Sequence, residues 1–317
     1  MRVGIAGAGL IGGSLALALR GAHDVAVFDT DDGARDLARG AGLEVVDRLD
    51  DLTPADVIVV ATPLDAVVPT LAAFAESGAV LVDTGSLKAP VAAFARSAAP
   101  AARIVGGHPM AGSAASGFAA AEAGLFRDRS FLLVPTARSD TLAMAVAGDL
   151  ARAVGAIPTV CSADLHDRVV AATSAAPLAA ALALTLLGDE AARGALRPFI
   201  GPGFGDATRL AATPAGLATA LLGGNPDSAP AIGRLMDLLG EVRSAAVSGG
   251  PAVAALLERV RDARLRARDG GGVPPAGLAE ETGATAASKP EAGRTDGAGA
   301  SAAGGPTSQR ASSPSIS

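Results

Sequence analysis

The 317-residue chain contains no Trp, no Tyr, one Cys and three His. A single thiol, Cys161, excludes an internal disulfide and a cysteine-built metal site, and its expected role is that of a small buried hydrophobe beside Val160. No metal is expected. Aromatics reach 3% where hydrophobic residues reach 50%, so much of the mean hydropathy of +0.39 is alanine and overstates the apolar character. Basic residues are in deficit: 26 Lys and Arg against 32 Asp and Glu give a net charge of −6. Nucleic acid and anionic membrane are therefore not expected as partners, since both need a basic surface. Met1 leads straight into an apolar strand, which predicts no signal peptide and a cytoplasmic protein. One uncharged run, Val169 to Leu187, approaches bilayer length, but it holds Thr173, Ser174, Pro177 and Thr185. It reads as a helix buried inside protein, at a subunit contact.

What is abundant is glycine, 40 residues of it, and its placement near the start is informative. Arg2 to Ala6 reads as a buried strand, followed at once by Gly7-Ala8-Gly9-Leu10-Ile11-Gly12. Gly7 permits the tight turn, Gly9 lets the backbone approach a pyrophosphate, and Gly12 lets the next helix pack on the sheet. The helix that opens at Leu10 and Ile11 presents amides and a dipole that favour an anion. A second strand, Asp24 to Phe28, ends in Asp29, about twenty residues beyond the glycines, where a carboxylate bonds adenosine ribose hydroxyls. That charge repels a 2′-phosphate, so the implied cofactor is NAD rather than NADP.

Strand and helix signals then alternate, which predicts an α/β fold: a Rossmann-type doubly wound parallel sheet covered on both faces. The strand Ala55 to Ala61 runs into Thr62-Pro63-Leu64, which should border the cofactor at the carboxyl edge of the sheet. Thr62 and Pro63 also suit a plain helix start, with Thr as cap. Ala79 to Asp83 opens onto Thr84-Gly85-Ser86-Leu87-Lys88, and Arg103 to Gly106 onto a turn Gly107-His108-Pro109-Met110-Ala111-Gly112-Ser113. Both loops reach the same edge. From Ser162 only helical patterns remain, interrupted by Gly201 to Gly205. The expected division is a cofactor domain at 1–161, an all-helical substrate and dimerisation domain at 162–268, and a disordered tail at 269–317. The tail has no aromatic residue and cannot offset its chain entropy.

Hydride transfer from a hydroxyl-bearing carbon needs a base, and His suits neutral pH. His23 reads as an exposed loop residue. His166, with Asp167 and Arg168 after it, reads as a capping or interdomain polar group. His108, at the end of a strand in a Gly-Gly-His-Pro turn, is the candidate base.

These residues carry a resemblance. Gly106 to Gly112 followed by Ser116-Gly117 resembles the histidine loop of prephenate dehydrogenases, and Asp83 to Lys88 is similar to that family's serine loop. His166-Asp167 resembles its helix-entry pair, and Gly203 to Ala211 its arginine segment. The resemblance spans about residues 1–265. It implies NAD-dependent oxidative decarboxylation of prephenate to 4-hydroxyphenylpyruvate in tyrosine biosynthesis. His108 and Ser86 would be catalytic, with Ser86 also near the nicotinamide. Arg209, Ser174 and Ser113 would bind substrate, and the helical domain would form a homodimer. Arg209 also suits an ordinary surface ion pair. Many relatives have Ser-His-Leu-Pro-His where this chain has Ser174-Ala175-Ala176-Pro177-Leu178, and some have Glu in place of Ala114. Both changes bear on the substrate side chain and make arogenate the second candidate. A β-hydroxy acid dehydrogenase would resemble its relatives in having a lysine on the first helix of the second domain, and Ser162 to Leu187 has none. A non-catalytic NAD-binding regulator is the remaining alternative.

Overall fold

The computed structural model describes residues 1–113 and 115–269. Residues 270–317 of the expected tail, and Ala114, lie outside the described residues. Eight strands form one sheet in the order β3-β2-β1-β4-β5-β6-β7-β8. They are β1 (Arg2–Ala6), β2 (Asp24–Phe28), β3 (Glu44–Val45), β4 (Val57–Val60), β5 (Val80–Asp83), β6 (Arg103–Pro109), β7 (Ser130–Pro135) and β8 (Ile157–Val160). Helices α1 (Leu10–Leu19), α2 (Asp32–Gly40), α3 (Leu64–Ala73), α4 (Ala89–Ser97) and α5 (Thr141–Ala153) cover both faces.

The strands sort their side chains by parity, as the two-residue period of a pleated sheet requires. Val3, Ile5, Val25, Val27, Val57, Val59 and Val82 face one layer with Leu15, Leu19 and Leu150. Ile58, Val60, Leu81 and Ile104 face the other with Leu71, Phe74 and Val91. Burial on both faces explains why these strands are near-continuous runs of apolar residues. The order reverses between β1 and β4, and the crevice outside their carboxyl ends is where such a sheet binds ligands.

The expected doubly wound, largely parallel sheet is present, with one antiparallel pairing, β7 against β6. Two expectations need correction here. The strand expected to stop at Gly106 continues to Pro109, since Gly107 and His108 pair with Leu133 and Leu132 of β7; His108 thus sits inside a strand and not in a turn. Cys161, expected to be buried, is only partly so, because it follows β8, the edge strand whose Val160 is exposed.

Beyond β8 the described chain is helical: α6 (Ala163–Val170), α7 (Ala176–Ala192), α8 (Pro202–Thr208), α9 (Ala215–Gly223), α10 (Ser228–Ser248) and α11 (Gly250–Asp269). The segment Gly201–Gly205, expected to interrupt helices, instead starts one: Gly201 is the N-cap and Pro202 takes the first helical position, where its missing N–H costs nothing. Between α6 and α7, residues Ala171–Ala175 form a π turn. Pro177 accounts for it, since a proline ring in a helix collides with the carbonyl four residues earlier, here Thr173, and a widened turn relieves that clash. The run Ala163–Ala192 is long and apolar enough to cross a membrane by length and composition, with one third of its most apolar window buried. Leu178 and Ala181 are buried, but Leu184, Leu186 and Leu187 are exposed, so the expected full burial of this helix is not met within one chain.

Candidate active site

Two loops at the carboxyl edge of the sheet converge on the switch between β1 and β4. Gly7 has φ +105°, and a Cβ there would sit 2.5 Å from the Ala61 carbonyl oxygen. A Cβ on Gly12 would collide with the Gly7 carbonyl, so α1 can start this close to the sheet only with glycine. Gly9 faces open space, leaving backbone exposed at the helix start formed by Leu10 and Ile11, where an anion is favoured. Asp29 is already oriented toward this loop: its Oδ2 accepts from the Ala8 amide at 2.6 Å and its Oδ1 from the Asp31 amide at 2.9 Å. Across the crevice, Thr62 does not cap α3. The N-cap position is Pro63, with no side-chain bond, and the buried Thr62 Oγ1 has no hydrogen-bond partner among the described residues. An orphaned buried hydroxyl is costly unless a ligand satisfies it. Open backbone at Gly9, a preset carboxylate and an unspent hydroxyl together fit a dinucleotide. Leu64, the first residue of α3, lies 3.3 Å from where a Cβ of Gly85 would be, which ties this edge to the Ser86 loop.

The β5 and β6 loops carry a buried polar network. Ser86 is half-buried after β5, in a loop where the Gly85 amide donates to Asp83 Oδ2 at 2.8 Å. Lys88, at the loop's end, is fully buried. Its Nζ pairs with Asp83 Oδ2 and donates to the Gly107 carbonyl at 2.5 Å, and the Gly107 amide donates to Asp83 Oδ1 at 3.2 Å. A side chain at Gly107 would drive into the Asp83 carbonyl, so β6 can lie this close to the network only with glycine before His108. Burial lowers the Lys88 pKa, while the charge and hydrogen bond of Asp83 oppose that shift.

His108 Nδ1 lies 2.8 Å from His166 Nε2, and His166 Nδ1 lies 2.6 Å from Asp167 Oδ1. Asp167 also accepts from the amides of Lys88 and Ala89, each at 2.8 Å, and Asn225 Nδ2 holds its carbonyl at 2.8 Å. The carboxylate can only accept, so His166 Nδ1 carries a proton. With both rings neutral, His166 Nε2 accepts from His108 Nδ1–H, which leaves the lone pair of His108 on Nε2. The chain therefore fixes the tautomer of a base. Burial first, then the charge of Lys88 and the closeness of the second imidazole at His166, lower the His108 pKa to about 3 against a raising effect of Asp167, so the ring is neutral at physiological pH. Burial alone would raise Asp167, but the His166 bond and the two amides outweigh it and lower its pKa.

His166 was legible as an interdomain polar group but not as the partner of His108. The cap of α6 is Ser162, whose hydroxyl accepts from the Leu165 amide at 3.2 Å. Asp83 and Lys88 enter the sequence reading only as the ends of the serine loop and Asp167 only as half of the helix-entry pair, with no role given to any of the three. The available signal was a pair of opposite charges five residues apart at the two ends of a serine loop.

Ser113, Ser174 and Arg209 line one cavity of about 350 Å³ with Gly112, Thr173, Leu178, Thr213 and Leu221. Ser174 sits in the π turn, and Arg209 begins a short 3₁₀ turn after α8. Its apolar lining includes Leu178 and Leu221, which pack in a buried cluster with Val170 and Ala175. Arg209 is exposed at the cavity and shows no ion pair among the described residues. The cavity wall at Gly112 and Ser113 belongs to the segment that follows β6 and His108.

Comparison with known proteins agrees with this geometry. Residues 15–159 match the family described as prephenate dehydrogenase, nucleotide-binding domain. The chain is 33% identical over 223 residues to the prephenate dehydrogenase of Bacillus subtilis, a stretch covering 66% of this chain and 60% of that protein. It is 33% identical over 225 residues to the cyclohexadienyl dehydrogenase of Zymomonas mobilis, covering 67% of this chain and 76% of that protein. Among solved structures, a prephenate dehydrogenase from Corynebacterium glutamicum, described as putative, superposes with a TM-score of 0.76 at 26% identity, covering 84% of this chain and 89% of that one. The arogenate dehydrogenase of Synechocystis superposes with a TM-score of 0.69 at 26% identity, covering 84% and 100%. A glycine loop with its acid, a serine loop, a histidine on β6 and an arginine beyond α8, in this order on this fold and with these relatives, place the chain in the prephenate dehydrogenase family.

Proposed function

We propose that this chain is an NAD-dependent dehydrogenase that oxidatively decarboxylates prephenate to 4-hydroxyphenylpyruvate, with residues 1–161 as cofactor domain and 162–268 as substrate and dimerisation domain. The observation that carries the reading is the Asp167–His166–His108 chain, which leaves an unprotonated Nε2 on His108 at the carboxyl edge of the sheet. Gly7, Gly9, Leu10, Ile11, Gly12, Asp29, Thr62, Pro63, Leu64 and Ser86 are the residues that would hold NAD. When bound, it supplies the hydride acceptor. His108 Nε2 takes the proton of the ring C4 hydroxyl as the C4 hydrogen leaves with its electron pair. The bond from C1 to its carboxylate then breaks, carbon dioxide departs, and the electron pair flows through the ring to the C4 oxygen. That oxygen recovers its proton from His108, completing an aromatic phenol. Asp167, through His166, stabilises the transient imidazolium. Ser86 orients the hydroxyl, and Arg209 pairs with a substrate carboxylate, for which its planar fork is suited. Ser113 and Ser174 add hydroxyls to the same cavity.

Leu178, buried in the cavity lining where many relatives have histidine, gives arogenate a specific claim as second substrate. The exposed Leu186, Leu187 and Phe199 support a homodimer through the helical domain. The lone half-buried Cys161 suits a reducing, cytoplasmic compartment. The test is NADH formation with prephenate and arogenate offered separately, with NAD and with NADP. Turnover of prephenate with NAD, abolished in His108→Ala, is the expected result. Turnover of arogenate alone would transfer the mechanism to that substrate. NAD binding with no turnover of either would favour a regulatory protein.

A further inference from the structure

Given a dinucleotide at the β1 edge, as proposed above, its choice between NAD and NADP rests on more than Asp29. A 2′-phosphate adds roughly −1.5 to −2 charges near neutral pH, and it needs cations or free amides where the ribose of NAD needs a carboxylate. The chain leaving β2 carries Asp29, Asp31 and Asp32, with Arg35 one turn on. The donors near them are already engaged. The amides of Gly33 and Ala34 donate to Asp31 Oδ1 at 2.7 and 3.3 Å, and the Asp31 amide donates to Asp29. Arg35 Nη1 donates to the Asp29 carbonyl at 2.7 Å, and its Nη2 pairs with Asp32.

Arg35 differs from the other ion-paired arginines in two respects. Its side chain is 19% exposed whereas that of its partner Asp32 is 85% exposed, and its buried Nε has no hydrogen-bond partner among the described residues. The guanidinium is thus anchored beside the cofactor-reading carboxylate with a donor unspent, and what neutralises it is a solvated carboxylate with no other bond among the described residues. We propose that Asp32 is a specificity-determining residue, which by holding Arg35 withholds from a 2′-phosphate the cation tethered at the Asp29 carbonyl. NAD preference is then the joint result of repulsion at Asp29 and sequestration at Arg35. Removal of the exposed Asp32 exposes a latent phosphate contact without disturbing the glycine loop.

Binding of NADH and NADPH to the full chain can be followed by the fluorescence of the reduced nicotinamide, in a protein with no Trp or Tyr emission to overlap it. Wild type is expected to favour NADH. Asp32→Ala should tighten NADPH about tenfold, the scale of one charge-assisted contact to phosphate, with NADH affinity little changed. The gain should vanish in Asp32→Ala combined with Arg35→Met. NADH binding that is normal while Asp32→Ala leaves NADPH unchanged overturns the proposal, as does a gain that survives Arg35→Met. Failure of the wild type to bind NADH overturns the dinucleotide assignment itself, a distinct outcome.

Discussion

Replacement of Asp167 by Asn removes one charge and almost no volume, and the hydrogen bonds dictate how the amide must lie. Oδ1 accepts from the Lys88 amide and from His166 Nδ1, whereas Oδ2 accepts from the Ala89 amide alone. An Asn nitrogen in the Oδ1 position would face two N–H donors, one belonging to the buried Lys88. In the Oδ2 position it faces one, the amide of Ala89 at the exposed first residue of α4. The second orientation costs one hydrogen bond, about 1–3 kcal/mol, and leaves the His166 and His108 tautomers intact. What is lost in the reaction is the carboxylate that balances the imidazolium formed when His108 takes the proton. Wrong-tautomer failure of a base costs about 10⁴ in rate, and with the tautomer kept the expected loss is smaller, about 10²-fold in kcat/KM or ~2.7 kcal/mol. NADH formation measured beside chemical denaturation separates the two effects. The loss should fall on kcat, with NADH binding unchanged. An Asp167→Asn enzyme that loses stability but keeps wild-type kcat/KM would refute the relay, leaving Asp167 as a clamp on the start of α4.

Three further outcomes follow from the geometry. The His108 pKa, lowered to about 3, means that the native state binds fewer protons than the unfolded chain between about pH 6.5 and 3; the stability this group contributes is complete above about 6.5 and declines as pH falls toward 3, and kcat/KM should show no acid limb near 6.5, which a pH–rate profile and denaturation at pH 7 and 5 will check. Arg209→Lys loses the planar fork at the cavity, so KM for prephenate should rise by roughly ten- to a hundredfold with kcat little changed, and an unchanged KM would remove Arg209 from substrate binding. Gly12→Ala drives a Cβ into the Gly7 carbonyl, where backbone must move at a cost of at least about 1–3 kcal/mol; thermal melting and NADH titration should both register it, and a variant that melts and binds like wild type would refute the packing argument.

The glycine loop was legible because each glycine answers a separate steric demand, and the structure shows three different surroundings at Gly7, Gly9 and Gly12. The apolar runs identified the strands for a similarly local reason, burial on both faces. Strand direction is not local: Ser130 to Pro135 reads the same whether it runs with β6 or against it, and its antiparallel course lengthens β6 through His108. Burial of Lys88 was equally hidden. A lysine after a serine loop looks like a solvated charge until the fold brings the Gly107 carbonyl, nineteen residues on, against its Nζ. His166 and His108 lie 58 residues apart, a separation that no periodicity spans.

Those hidden contacts join two requirements that could have been independent. The bonds run from Asp83 to the Lys88 side chain, from the Lys88 amide to Asp167, through His166 to His108, and back through Gly107 to both Lys88 and Asp83. Two members, His166 and Asp167, come from α6; the rest come from the ends of β5 and β6. Undocking α6 would strip the partner from two amides and a histidine at once, and it would also release His108 to either tautomer, only one of which has its lone pair on Nε2. A buried Lys–Asp pair is a poor source of net stability because desolvation offsets its attraction, yet here it fixes the strand that carries the base. The helical region therefore completes the His108 site as well as lining the neighbouring cavity with Ser174, Leu178 and Arg209, so that a neutral His108 of defined tautomer exists only in the docked structure.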